Sequence, residues 1–142
     1  MKPSLQDVLD RLERMASKKV MVGVADGRNA EIALFHELGT ARTPARPFLV
    51  PGLAEFAELN EKQIAAATES IIQGKDPDVV LGRMGLAAAA YVKKYITKTD
   101  SKGSPHGWKP LKPETVQAKG SDKILIDTGE LVGAITHKLE ST

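Results

Sequence analysis

Residues 37–51 read Glu-Leu-Gly-Thr-Ala-Arg-Thr-Pro-Ala-Arg-Pro-Phe-Leu-Val-Pro, and few backbone paths satisfy such a run. Gly39 predicts a helix end, because glycine enters the left-handed region without steric cost. Pro44 and Pro47 fix their own φ and push Thr43 and Arg46 toward extended conformations. Pro51 suits the first turn of a following helix, where its missing N–H would be unpaired in any case. The expected order is therefore helix stop, stiff arm, helix start. Phe48, Leu49 and Val50 give the arm, residues 40–50, an apolar end, while Arg42 and Arg46 keep it cationic. A pre-stiffened segment loses little entropy on docking, so the arm suits a partner contact. The same residues also suit a proline-rich crossover between two helices.

The helices that this arm would join are legible on either side. Ser4 can cap a first helix, with Asp7 at its positive end, and Leu5, Val8, Leu9, Leu12 and Met15 fall on one helical face. Lys18 and Lys19 are expected to close it. Val20, Val22 and Val24 alternate with Met21 and Gly23 as a strand does. Residues 25–29 have turn chemistry, and Asn29 is the expected cap of a short helix reaching Leu38, with Ile32 and Phe35 facing the core.

Beyond the arm, a helix is predicted from about Pro51 to Gln73, with Leu53, Phe56, Ala57, Ile64, Ala67 and Ile71 as its buried stripe. Residues 74–77 end it, and Asp76 with Pro77 starts another that runs to about Ile96. In that helix Leu81, Met84, Ala88, Tyr91, Val92 and Tyr95 are the inward positions. Gly82, Gly85 and Ala87 to Ala90 lack bulk, so a partner helix of the same chain or of a neighbouring subunit can approach closely. Residues 97–113 form a long polar loop carrying Trp108, read either as a plug on the domain or as a partner anchor. Residues 114–119 suggest a short helix, residues 124–126 a short strand, and Thr128 the cap of a last helix. The pattern as a whole is α+β: one domain over residues 1–142, with a small, mainly antiparallel sheet packed against two long helices and extended arms.

With 142 residues, 42% hydrophobic and 27% charged, the chain can build one real core. Cysteine is absent, which removes disulfides, thiolate metal sites and cysteine nucleophiles from consideration. No apolar run reaches the ~20 residues that a bilayer crossing needs. The N-terminus has no apolar signal core, so synthesis in the cytoplasm and no membrane partner are expected.

A second cluster follows the long helices: Trp108-Lys-Pro-Leu111, Glu114-Thr115, Lys119-Gly120, then Leu125-Ile-Asp-Thr-Gly-Glu-Leu131. The order Glu-x-Gly-Thr, Pro-x-Arg-Pro-Phe-Leu-x-Pro, a long helical middle, Trp-x-x-Leu, and Leu-x-x-Thr-Gly-x-Leu resembles the neck and tail-completion proteins of long-tailed bacteriophages. The resemblance runs from about Val20 to Ile135. One departure is that such proteins carry more strand after Thr-Gly-x-Leu than the residues up to Thr142 provide.

The resemblance implies a structural virion protein of the head–tail junction, made in the host cytoplasm and joining a homo-oligomeric ring between capsid connector and tail. Its implied partners are head-closure or connector proteins and tail terminator or tube proteins, with incidental contact to DNA in the channel. No cofactor is implied. The candidate interface residues are Arg42, Pro44, Arg46, Pro47, Phe48 and Leu49 in the arm, and Trp108 and Leu111 in the loop.

Catalytic patterns are not found. His36-Glu37 opens like a zinc-protease helix, but position 40 is Thr, so the second histidine is missing. His36, His106 and His137 have no metal-ligand spacing. Gly74-Lys75 lacks both a glycine-rich approach and a following Ser or Thr. Asp127-Thr-Gly129 resembles the aspartic-protease triplet, which works only as a pair. No enzyme activity is expected. The alternative function is DNA binding by residues 93–123, where eight lysines face only Asp100, Glu114 and Asp122. Against it, that run holds no arginine and no recognisable DNA-binding module.

Overall fold

The computed structural model describes residues 3–25, 27–42, 44–97 and 130–142. Among them the chain is α+β, with six helices and a two-stranded antiparallel sheet. Helix α1 (Leu5–Ala16) leads into strand β1 (Lys18–Val24) and then α2 (Gly27–Leu38). After the arm come α3 (Leu49–Leu59), α4 (Glu61–Ile72) and the long α5 (Pro77–Thr97). The final described elements are α6 (Glu130–Ala134) and β2 (Ile135–Ser141).

Helix α1 starts where its cap predicts. The Asp7 N–H donates to Ser4 Oγ at 3.1 Å and the Ser4 N–H donates back to Asp7 Oδ2 at 3.3 Å, a reciprocal capping box. Those bonds hold the Asp7 carboxyl below its usual range. Lys18 and Lys19 do not close this helix. Ser17 does, its N–H reaching Glu13 O at 2.9 Å, and both lysines belong to β1. In α2, Asn29 is not the cap but lies two residues inside the helix, buried, and Ala33 shares that inward face. Phe35, expected in the core, is 46% exposed.

The single helix predicted over residues 51–73 is broken. Asn60 leaves the helical region at φ −114°, ψ 22°, ending α3 and opening α4. Its side-chain Nδ2 donates to Phe56 O at 2.9 Å, which is how asparagine competes with the helical ladder. Pro51 lies in the first turn of α3, and Pro77 opens α5, as the sequence predicts. The Asp78 N–H donates to Asp76 Oδ1 at 3.0 Å.

Strand β2 lies beyond the elements that the sequence pattern predicts. It pairs with β1 from Lys18↔Ser141 to Val24↔Ile135, so the strand after the Thr-Gly-x-Leu element is present. Helix α5 crosses this sheet, and Gly85 serves that crossing, so the close approach there is to strands and not to a helix. A Cβ on Gly85 would stand 2.7 Å from His137 Cδ2 and 2.9 Å from Val20 Cγ1. The core gathers Ala33, Phe48, Ala89, Val92, Tyr95, Ile96, Leu131 and Ile135 from α2, the arm, α5, α6 and β2. Two arginines of α1 tie it down far along the chain. Arg11 donates to the carbonyls of Ile71 and Ile72 at 2.8 and 2.9 Å, at the negative end of α4. Arg14 pairs with Asp76 at 3.0 Å and Asp78 at 3.3 Å.

Candidate functional site

The arm leaves α2 through Gly39, whose φ of 77° only glycine adopts cheaply. The Gly39 N–H donates to Phe35 O and the Arg46 N–H to His36 O, each at 2.7 Å, so the arm folds back along the end of α2. Glu37 completes the return. Its Oε1 accepts the N–H groups of both Phe48 and Leu49 at 2.5 Å. These are the first amides of α3, unpaired by the helix itself and at its positive end. A carboxylate in the last turn of α2 opposes that helix's own dipole, and the start of α3 offsets this.

This geometry decides where each arm residue goes. Phe48, expected to fill a partner's pocket, fills one in its own chain and is 0% exposed. Arg46 is 8% exposed, and burial pushes its guanidinium pKa down. Pro44, Pro47 and Leu49 are half-buried, whereas Arg42 and Val50 face outward. The arm is thus an internal crossover on its apolar side and free for contact at Arg42 and Val50. Trp108 and Leu111, and the helix, strand and cap expected over residues 114–128, lie outside the described residues. So do residues 98–123 of the basic run; Lys94 is exposed and Lys93 half-buried at the end of α5.

The role of Glu37 is not readable from spacing. The available signal is electrostatic: an acid in a helix's last turn calls for a donor elsewhere.

Behind the arm, Gly52 lets α3 lie against the Tyr95 ring, where a Cβ would meet Cγ at 3.4 Å. The Tyr91 hydroxyl donates to the Glu55 carboxylate, and its ring packs against Phe56 with centroids 5.8 Å apart. That hydrogen bond, then burial and the charge of Glu55, push the Tyr91 phenol up to about 12. Tyr95 is pushed up by burial first and then by Glu55 and Glu37.

Both folded values exceed the ordinary 10.0, so the stabilisation is complete below that pH. The part due to Tyr91 is lost as the pH rises toward about 12. In an alkaline titration followed by phenolate absorbance, neither of the chain's two tyrosines should ionise at the ordinary value. Tyr91→Phe should delete the step near 12. Two ordinary midpoints in the folded protein would contradict the Glu55 contact.

Among the described residues no group of three or more His, Asp or Glu side chains could hold a metal ion. No described helix is long and apolar enough to cross a membrane. What stands out is apolar surface: Leu34, Phe35 and Leu38 on α2, Leu5 and Leu9 on α1, Val50 and Leu59 on α3, and Val79 and Leu86 on α5 are all exposed. No family model, no curated protein and no solved structure matches this chain.

Proposed function

We propose that this chain is a structural, non-enzymatic subunit of a bacteriophage head–tail junction, joining a ring between capsid connector and tail. The observation that carries the reading is the apolar surface distributed over α1, α2, α3 and α5. Scattered single apolar residues are normal on a protein surface, but Leu34 and Leu38 lie one helical turn apart, as do Leu5 and Leu9. Such stripes suit a subunit that is finished by its neighbours. The motif order Glu-x-Gly-Thr through Leu-x-x-Thr-Gly-x-Leu supplies the virion context.

The test is electron microscopy of a lysate from the parent phage with this gene silenced. Full heads beside unattached or unfinished tails, rescued by supplying the protein, are expected. Normal infectious particles would reject the reading, and steeply salt-dependent DNA affinity would then favour the basic run as the functional element. The arm itself is best probed at Arg42, because a change at buried Arg46 would disturb folding. Arg42→Glu should fold normally and fail to rescue; full rescue would remove the arm from the interface.

A further inference from the structure

Between α4 and α5 runs an open groove of about 440 Å³ whose apolar floor includes Phe56, Ile64 and Met84. Ala67 and Ala87 line it as well, and their small side chains let another helix come close. Its rim carries Lys75 and Arg83, both exposed, and no ion pair among the described residues engages either cation.

Helix α1 has the opposite character. It is strongly amphipathic, yet none of its residues is buried. Leu5 is 76% exposed and Leu9 45% exposed. Leu5, Leu9 and Glu13 follow one another at single helical turns, and Asp10 lies beside them. The cations of α1 point elsewhere, because Arg11 is held by the end of α4 and Arg14 by Asp76 and Asp78. The open edge of α1 is therefore leucine flanked by acid, and the groove is apolar with a cationic rim.

We infer that the α4–α5 groove receives α1 of a second copy of this chain, with Leu5 and Leu9 on the apolar floor and Glu13 and Asp10 facing Lys75 and Arg83. No α1 residue lines the groove of its own chain, so each copy offers both surfaces at once. A contact between two different patches repeats head to tail, and it closes into a ring when the rotation between copies permits. Apolar burial supplies the affinity, while the charge pairing fixes register and speeds encounter. The inference rests on the ring reading and names the surfaces that would build it.

The chain has no cysteine, which gives a clean background for cross-linking. Leu9→Cys and Ala87→Cys chains, both altered at exposed positions, are purified separately, mixed in solution and oxidised. A disulfide-linked dimer is expected in the mixture and in neither chain alone. An uncross-linked mixture overturns the inference, as it would if the groove takes a different protein. Leu9→Cys chains linking to themselves overturn it too, since that contact is symmetric. Slow thiol labelling of Ala87→Cys in monomeric protein would mean that the chain covers its own groove, which equally overturns the inference.

Charge reversal gives a second readout. Arg83→Glu and Glu13→Lys should each weaken self-association by about fivefold, and the two together should restore it. Unchanged association in both single variants sinks the proposal. Sedimentation of the wild-type chain separates this failure from that of the wider reading. Oligomers without the Leu9–Ala87 link reject the groove contact and leave the ring standing, whereas the ring falls with normal particles after silencing.

Discussion

Phe48→Ala should lower the stability of the isolated chain by about 3–5 kcal/mol. The side chain is fully buried in the cluster to which α2, α5, α6 and β2 also contribute, so its removal leaves a cavity in the core. For a domain of this size the melting temperature should fall by roughly 10 °C or more. Thermal unfolding followed by circular dichroism measures it. A melt within a few degrees of wild type would mean that Phe48 waits for a partner after all, and that the arm opens readily in solution.

Glu37→Ala should come next in size. It strips the acceptor from the Phe48 and Leu49 amides together and removes an anion from the start of α3. Loss of a helix cap costs about 0.5–2 kcal/mol, and hydrogen bonds to a charged group are at the strong end of the range, so a loss of about 2–3 kcal/mol is expected. Glu37→Gln keeps one acceptor oxygen without the charge and should lose less than half of that. Urea unfolding with an unchanged slope would assign the difference to stability rather than to the unfolded chain. Wild-type stability of the alanine variant would mean that no carboxylate clamp operates at the start of α3.

The elements that sequence reveals well are those whose signal is local. The Ser4 cap, the valine alternation of β1, Gly39 as a helix stop, and the prolines at the starts of α3 and α5 are decided by residues within one turn of each other. The misplaced features depend on distant partners or on close local competition. Asn60 breaks a run of good helix formers because its side chain bonds the backbone it sits on, an outcome that competes closely with continuing the helix. Phe35, expected inward, faces out because α2 presents Ala33 to the core instead. Gly85 advertises close approach, but nothing local says that a strand, not a helix, is what approaches.

The arm is the instructive case for the candidate site. Its stiffness is written in Pro44 and Pro47, but which side faces inward is settled by Glu37 and by the cluster that receives Phe48. A stripe on α1 at helical spacing predicts burial just as the stripe on α5 does. Only the three-dimensional arrangement separates the covered leucines from the open ones.

The pairing of β1 with β2 also has a consequence for the order of events during synthesis. Val20 leaves the ribosome early, while its neighbour across the sheet, Leu139, follows long after. Until then α5 has only the β1 side of its surface, Val20, to lay Gly85 against, and the places later taken by His137 and Ile135 stay empty. Closing so wide a loop is slow and comes late among folding steps. A nascent chain stalled before Ile135 would thus lack the β2 half of the floor on which α5 rests. Helix α5 can take its final position across the sheet only once β2 has emerged, so a product truncated before Ile135 should stay short of the finished domain.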